Sequence, residues 1–243
     1  MKETINKLLR KFGAEIHGTG YLQALSKNDF KKDSFDMQYE LLNKNAKIIF
    51  DIGANRGDVT AKYSAMFPGV NIYAFEPFAE TFAILNQRFA DNTNITCYDM
   101  AVAADNNFRE FYVNRNVDTN SLYKPNSIGI SSDKQVENLS VIQVKCISLD
   151  EFCEKNNIDS IDILKMDIQG GELDALKGAH KLLSGKKIKL IYSEVFFVEQ
   201  YLHQPLFHNI CELLKQYGYY LQDFYSPFYG NGNIVWADVI FKK

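Results

Sequence analysis

Residues 47–60 read Lys47-Ile48-Ile49-Phe50-Asp51-Ile52-Gly53-Ala54-Asn55-Arg56-Gly57-Asp58-Val59-Thr60, and this stretch decides the fold of the 243-residue chain. An apolar run leads into an acidic residue, a turn with two glycines and a polar residue that opens a helix. Strand, glycine turn and helix in this order form a ligand crevice at the carboxyl end of a buried strand. The stretch therefore predicts a Rossmann-like α/β domain.

A second strand ends in an acidic residue that suits a ribose. The apolar run Asn71-Ile72-Tyr73-Ala74-Phe75 is followed by Glu76-Pro77, and a carboxylate there suits a ribose diol. The first turn has Gly53 and Gly57 but lacks the middle glycine of the dinucleotide fingerprint, which lets a pyrophosphate approach the backbone. We therefore expect S-adenosylmethionine (SAM), which has no phosphate. An NAD-dependent oxidoreductase is the alternative.

Each part of SAM has an expected partner. Asp51 supplies negative charge near the sulfonium or the α-amino group, Gly53 lets the ligand lie against the backbone, and amides around Gly57 at the helix start bind the carboxylate. The loop Cys97-Tyr98-Asp99-Met100-Ala101-Val102 is expected beside the adenine. The predicted cofactor-binding residues are Asp51, Gly53, Asn55, Gly57, Glu76, Asp99, Met100 and Ala101.

Composition limits the class of protein. The 46 % hydrophobic content fits one globular α/β domain with a substantial core. A net charge of −3 is too weak to predict a nucleic-acid or anionic-lipid partner. The four cysteines form no Cys-x-x-Cys pair, which argues against zinc and favours a reducing compartment. Without a signal-peptide pattern or an apolar run of about 18 residues, we expect a cytoplasmic protein with no membrane span.

Short apolar runs alternate with amphipathic stretches from residue 47 onward. This pattern predicts a doubly wound, mostly parallel sheet with helices on both faces. The expected strands are 48–50, 72–75, 95–98, 161–166 and 188–192, and the expected helices are 58–66, 79–89, 149–155, 172–183 and 205–217. Either Ser148 or Asp150 is expected to cap the helix at 149–155.

Three segments depart from the alternation. Residues 1–45 are polar with short helical patterns. We expect them to form a helical N-terminal cap that packs on the α/β domain, and we expect that domain to span residues 46–243. Residues 105–147 predict an inserted β-hairpin. Near the C-terminus, the turn Gly230-Asn231-Gly232-Asn233 predicts an antiparallel hairpin of strands 219–225 and 234–241.

Several motifs resemble the FkbM family of SAM-dependent methyltransferases over about residues 47–195. They are Asp51-Ile52-Gly53-Ala54-Asn55-Arg56-Gly57, Phe75-Glu76-Pro77, Ala101-Val102-Ala103-Ala104-Asp105, Asn120-Ser121-Leu122, Leu149-Asp150-Glu151-Phe152, Ile163-Leu164-Lys165-Met166-Asp167-Ile168-Gln169-Gly170-Gly171-Glu172 and Leu176-Lys177-Gly178-Ala179. The family usually has an acidic residue where Gln169 stands. The resemblance implies a class I methyltransferase fold, usually a seven-stranded sheet with its last strand antiparallel. It also implies O-methylation of sugars, polyketides or related metabolites.

Methyl transfer to an alcohol requires a group that takes the hydroxyl proton. The strand ends after 161–166 and 188–192 supply the candidates, because they reach the same edge of the sheet. Asp167 is the first choice for the base, or for orienting the acceptor hydroxyl, since burial there would raise its pKa. The predicted catalytic residues are Asp167, Lys165, Glu172, Glu194 and, from the N-terminal segment, His17.

Other functions remain open at this level. Asp167, Glu172 and Glu194 offer oxygen ligands for Mg²⁺ or Ca²⁺, yet no compact metal loop is present, so we predict no metal site. A non-catalytic SAM-binding module fits the same cofactor motifs, and so does an N- or C-methyltransferase, because these motifs do not read the acceptor. The expected partner is a small molecule or a glycan.

Overall fold

The computed structural model describes residues 33–126 and 137–243. The chain divides into two compact units, Met1–Met37 and Gln38–Lys243. Of the cap predicted at 1–45, the described part contains one helix, α1 (Ser34–Leu41). His17 lies outside the described residues, so its catalytic role stays a prediction.

The second unit is an α/β domain. Its strands in the described residues are β1 (Ile48–Ile52), β2 (Asn71–Phe75), β3 (Ile95–Tyr98), β4 (Ala101–Val102), β5 (Phe108–Asn114), β6 (Asn138–Ile147), β7 (Ile161–Met166), β8 (Ile188–Phe196), β9 (Tyr220–Gly230) and β10 (Asn233–Lys242). The helices that follow α1 are α2 (Asp58–Met66), α3 (Ala79–Arg88), α4 (Leu149–Lys155), α5 (Glu172–Lys177), α6 (His180–Ser184) and α7 (Phe207–Gln216).

The main sheet has seven strands in the order β3-β2-β1-β7-β8-β10-β9. The first five are parallel, and β10 runs antiparallel to both of its neighbours. All six residues of β7 are buried, as expected for a central strand that is covered on both faces. The predicted doubly wound sheet with an antiparallel last strand is therefore confirmed. None of the helices in the described residues is long and apolar enough to cross a membrane.

Helix starts follow local chemistry, with two corrections. Ser148 caps α4, because its hydroxyl accepts a hydrogen bond from the Glu151 amide at 3.4 Å. Asp150 does not cap α4; its carboxylate accepts from the first amides of α6, at 2.7 Å from Lys181 and 3.0 Å from Leu182. The helix predicted at 172–183 is instead two helices, α5 and α6, which meet at Gly178. A Cβ on Gly178 would lie 2.2 Å from the Ala103 carbonyl oxygen, so this break brings two backbones into contact.

The inserted segment forms a second sheet in which β5 and β6 pair antiparallel and β4 runs parallel to β6. After β5, residues 117–126 form what we call the strap. The strap pairs with the rest of the domain through two isolated bridges, from Ser121 to Tyr112 and from Pro125 to Tyr201. The tip of the insertion, 127–136, lies outside the described residues.

The C-terminal hairpin has the predicted turn but longer strands. Asn231 and Gly232 both have positive φ, 50° and 79°, as a two-residue hairpin turn of this kind requires. Strand β9 extends to Gly230 rather than ending near 225, because Gly230 still pairs with Asn233 of β10.

Candidate active site

Two adjoining cavities open at the carboxyl edge of the main sheet, where β1, β2 and β7 end. The larger is polar, with a volume of about 400 Å³, and the smaller is mostly apolar, with about 50 Å³. Gly53, Glu76 and Asp167 line both cavities, so the two form one crevice. The crevice is therefore at the sheet edge that the sequence predicts.

Gly53 brings the ends of β1 and β7 into direct contact. Its φ is +74°, and a Cβ built on it would lie 1.9 Å from the carbonyl oxygen of Asp167. The amides of Gly53 and Ala54 both donate to the Phe75 carbonyl, at 3.0 and 2.9 Å. At the floor of the crevice, the backbones of Gly53 and Asp167 therefore lie so close that no side chain fits between them.

We expect Gly53→Ala to destabilise the protein more than Gly69→Ala. Both glycines have positive φ, but nothing lies within 4 Å of a Cβ on Gly69. The control therefore measures the backbone cost alone, and the added clash at Gly53 should lower the free energy of unfolding by a further ~1–3 kcal/mol. Urea unfolding of the two variants tests this. Equal losses would show that the turn relaxes without cost.

Glu76 is buried, and backbone amides hold its carboxylate in place. Its Oε2 accepts from the Asn55 amide at 3.0 Å, and its Oε1 accepts from the Phe78 amide at 2.9 Å. Burial raises the pKa of Glu76, and these amide bonds partly oppose that rise. The carboxylate thus stands at a fixed place where the polar and apolar cavities meet.

Asp51 lines neither cavity. Its side chain is fully buried, with Oδ1 2.9 Å from Lys165 Nζ and Oδ2 accepting from the Thr60 hydroxyl at 2.6 Å. Lys165 faces Asp51 across the parallel pair of β1 and β7, so the strand register itself sets this ion pair. The expected direct contact between Asp51 and the cofactor is not what the geometry offers. The structure links Asp51 to the crevice only indirectly, through its ion pair with Lys165.

Lys165 is a buried cation that reaches the polar cavity. Its Nζ donates to the Gly53 carbonyl at 2.8 Å, and its side chain is only 4 % exposed. Burial lowers the pKa of Lys165, but Asp51 and Asp167 more than offset this, so the pKa lies above its usual value. The lysine therefore ties the glycine turn to the carboxylates around it.

Gln169 joins two carboxylates to the strap side of the crevice. Its Nε2 donates to Glu194 Oε2 at 2.7 Å and lies 3.3 Å from Asp167 Oδ1, while its Oε1 lies 2.7 Å from the Tyr201 hydroxyl. That hydroxyl is also 2.9 Å from the Thr119 carbonyl of the strap. An amide has an acceptor for the Tyr201 hydroxyl and a donor for the two carboxylates, whereas a carboxylate at position 169 would have no donor.

Glu194 and Asp167 differ in environment. Burial raises the pKa of Glu194 well above that of an ordinary carboxyl, and the charges of Asp167, Glu172 and Asp238 raise it further. Asp167 is exposed, so the burial expected at this position is wrong. The physical reason is that Asp167 follows the last residue of β7 and lies on the crevice wall. Of the two, Glu194 has the environment that makes a carboxylate a stronger base than an ordinary glutamate.

Glu172 stabilises a turn. It is buried and lines neither cavity; its Oε1 accepts from the amides of Ile168 and Gly170 at 3.0 and 3.3 Å. Burial raises its pKa to about 7 despite these bonds. The structure thus separates Glu172 from the crevice and places it beneath the turn that carries Gln169.

Some of the remaining predicted cofactor-binding residues line the crevice, and others do not. Asn55 lines the polar cavity, and Met100 and Ala101 line the apolar one. Asp99 is exposed and lines neither. The Gly57 amide itself donates to the Ala54 carbonyl at 2.8 Å, and binding of the cofactor carboxylate by the other amides at this helix start stays a prediction.

Sequence analysis did not single out three residues of this region. Asp118 of the strap accepts from the Asn55 side chain at 2.8 Å, and Tyr201 holds Gln169. Asp238 lies opposite Glu194 on β10 and accepts from the Tyr192 hydroxyl at 3.0 Å; burial raises its pKa to about 6. Only the strand register brings Asp238 to the site, so no local motif indicates it.

No group of three or more histidine, cysteine, aspartate or glutamate side chains among residues 33–126 and 137–243 is arranged to hold a metal ion. Glu172 does not join Asp167 and Glu194 on the crevice wall. The three-carboxylate metal hypothesis therefore lacks one of its ligands.

The sheet order and the crevice define a class I methyltransferase. Residues 51–221 match the family described as Methyltransferase FkbM domain, and the chain belongs to this family. It is therefore a SAM-dependent methyltransferase and not an NAD-dependent oxidoreductase, the alternative that the sequence left open.

Two named relatives are similar to the chain at low identity. The chain is 25 % identical over 183 residues to the 2-O-methyltransferase NoeI of Sinorhizobium fredii, covering 73 % of this chain and 74 % of that protein. It is 25 % identical over 144 residues to the hexuronic acid methyltransferase AglP of Haloferax volcanii, covering 59 % of this chain and 54 % of that protein. Among solved structures, the magnesium protoporphyrin IX methyltransferase of Synechocystis, with bound SAM, is similar at a TM-score of 0.47 and 9 % identity, covering 86 % of this chain and 77 % of that one.

Proposed function

We propose that this protein transfers a methyl group from SAM to a hydroxyl group of a saccharide or a related small metabolite. The observation that carries the proposal is one crevice that joins a glycine turn and Glu76 to Asp167, Gln169 and Glu194. The names of the two relatives, a 2-O-methyltransferase and a hexuronic acid methyltransferase, support oxygen as the target and a sugar as the carrier.

SAM fits the two halves of the crevice by chemistry. The apolar cavity, with Phe75, Met100 and Ala101 on its wall, suits the adenine. Glu76, where the cavities meet, suits the ribose hydroxyls, and the turn at Gly53 and Asn55 suits the methionine part. When bound, SAM supplies a methyl group activated by a positively charged sulfonium.

Glu194 is the proposed base. As a carboxylate it accepts the proton of the acceptor hydroxyl, and Gln169 Nε2, 2.7 Å from Glu194 Oε2, fixes its orientation. Asp167, on the crevice wall beside it, orients the hydroxyl. Such a positioned base contributes on the order of 10²- to 10⁴-fold, and correct placement of the two reactants contributes more.

Lys165 and its partner Asp51 hold the crevice together. The lysine donates to the carbonyl of Gly53 and lies beside Asp167, so it fixes the distance between the cofactor turn and the acceptor carboxylates. We also infer a reducing compartment such as the cytoplasm, because all four cysteines are free thiols.

A direct assay tests the function. The protein is incubated with SAM and a panel of methyl glycosides, and S-adenosylhomocysteine and methylated sugar are measured together. Formation of both in equal amounts supports O-methyl transfer to sugars. Tight SAM binding with no product from any sugar or from a cell extract would favour a non-catalytic SAM-binding module.

We expect Glu76→Gln to weaken SAM binding by roughly tenfold, because a neutral amide makes weaker hydrogen bonds to hydroxyl groups than a carboxylate does. Calorimetric titration with SAM measures the change. Glu80→Gln, an exposed glutamate on α3, is the matched control and should bind SAM as the unmodified protein does. Unchanged affinity in Glu76→Gln would remove Glu76 from the cofactor site.

A further inference from the structure

The charge of the crevice wall indicates which acceptors the site admits. The polar cavity is lined by the carboxylates of Asp58, Glu76, Asp118, Asp167 and Glu194 and by two cations, Arg56 and Lys165. Carboxylates therefore outnumber cations among the described residues of the wall.

Both cations already have carboxylate partners. Lys165 Nζ is 2.9 Å from Asp51 Oδ1, and Arg56 is 3.4 Å from Asp118. Asp58 is itself neutralised by Arg88 at 2.6 Å. The carboxylates that no described cation contacts within salt-bridge distance are those of Glu76, Asp167 and Glu194.

The sheet order separates a cofactor end from an acceptor end. Glu76 follows β2 and Gly53 follows β1, whereas Asp167 follows β7 and Glu194 lies near the end of β8. Since SAM is assigned to the turn at Gly53 and to Glu76, the acceptor meets the pair Asp167 and Glu194. The described groups at that end are two carboxylates, the Gln169 amide, the Tyr201 hydroxyl and Lys165, whose charge is already paired with Asp51.

We propose that the acceptor is an uncharged polyhydroxy compound, and that a carboxylate next to its reacting hydroxyl is rejected. The proposal rests on the function proposed above, and it sets the acceptor of this chain apart from the one that the name of the hexuronic acid methyltransferase indicates. A negative group at this end would be repelled by the carboxylates of Asp167 and Glu194. It would also favour protonation of Glu194, which then could not accept the hydroxyl proton. Hydroxyl groups, by contrast, donate to both carboxylates and to the Gln169 oxygen.

Matched acceptors of equal shape test the charge alone. Methyl gluco-, galacto- and mannopyranosides are each compared with the corresponding uronate and uronamide, and kcat/KM is measured by S-adenosylhomocysteine release. We expect the uronamide to be used like its parent sugar and the uronate to be at least roughly tenfold worse. Raising the salt concentration should bring the ratio of kcat/KM for the uronate to that for the uronamide closer to one, because ions screen the repulsion.

A variant pair adds an internal check. Asp167→Asn removes one of the two carboxylates at the acceptor end, so the ratio of kcat/KM for the uronate to that for the uronamide should rise toward one. Asp159→Asn, an exposed aspartate outside the crevice, should leave the ratio unchanged. Ratios within one variant cancel any general loss of activity.

The outcomes separate the two proposals. A uronate that is methylated as well as its amide, or better, overturns the charge proposal and leaves sugar O-methylation intact. Conversion of no sugar in the panel, with SAM binding retained, overturns the proposed function and the charge proposal together.

Discussion

Glu194→Gln should lower kcat by about 10²- to 10⁴-fold while the affinity for SAM stays unchanged. The substitution keeps the size of the side chain and removes its ability to accept the hydroxyl proton. The Gln169 amide can still donate to the oxygen of the new amide, as it does to Glu194 Oε2 at 2.7 Å, so the local structure should persist. Single-turnover kinetics with SAM and the best neutral glycoside measure the change.

The pH dependence identifies the base. Glu194 acts as a carboxylate, so kcat should fall as the pH falls through its pKa, which burial and the charges of Asp167 and Glu172 hold well above the usual value. The acidic limb should therefore lie well above that of an ordinary glutamate, and it should disappear in Glu194→Gln. An unchanged limb in this variant would mean that another group titrates.

Two controls complete this experiment. Asp167→Asn should spare SAM affinity and lower turnover, but the acidic limb set by Glu194 should remain, moved to lower pH because a neighbouring negative charge is gone. Glu212→Gln, on the exposed side of α7, should behave as the unmodified protein. If Asp167→Asn, and not Glu194→Gln, removed the limb, then Asp167 would be the base.

The fold could be predicted where the signal is local. A buried parallel strand must be an apolar run, and the turn after β1 needs Gly53, so both are visible in the residues themselves. The apolar pattern of 172–183 continues through Gly178 and therefore predicts one helix instead of α5 and α6. The cause of the break between them is the contact of Gly178 with the Ala103 backbone, which exists only in the folded chain.

The location of the site at one edge of the sheet could be predicted from the sequence. Strand ends told us that Gly53, Glu76, Asp167 and Glu194 would meet, because parallel strands bring their carboxyl ends together. They did not tell us which side chains face the crevice. Asp51 is drawn inward by Lys165 of another strand, and Tyr201 reaches Gln169 across the sheet edge. Both depend on pairings between distant segments.

Lys165→Met should lower the free energy of unfolding by about 3–5 kcal/mol, because it leaves the Asp51 carboxylate buried without its cation. The side chains of Lys165 and Asp51 are only 4 % and 0 % exposed, so water cannot take the place of the lost partner. Asp51→Asn should cost a similar amount for the complementary reason. Urea unfolding monitored by tryptophan fluorescence measures each change.

The double variant tests whether Asp51 and Lys165 stabilise the protein as an ion pair or independently of each other. Asp51→Asn with Lys165→Met removes both charges, so its loss of stability should be clearly smaller than the sum of the single losses. Lys189→Met is the matched control: this lysine is 54 % exposed and pairs with Asp162 at 2.6 Å, and the Asp162 carboxylate keeps its hydrogen bonds from the Lys47 and Ile48 amides, so the change should cost about 1 kcal/mol. Additive losses in the double variant would contradict coupling between Asp51 and Lys165. In that case Asp51 would have to affect the crevice by another route, since this ion pair is its link to the wall of the polar cavity.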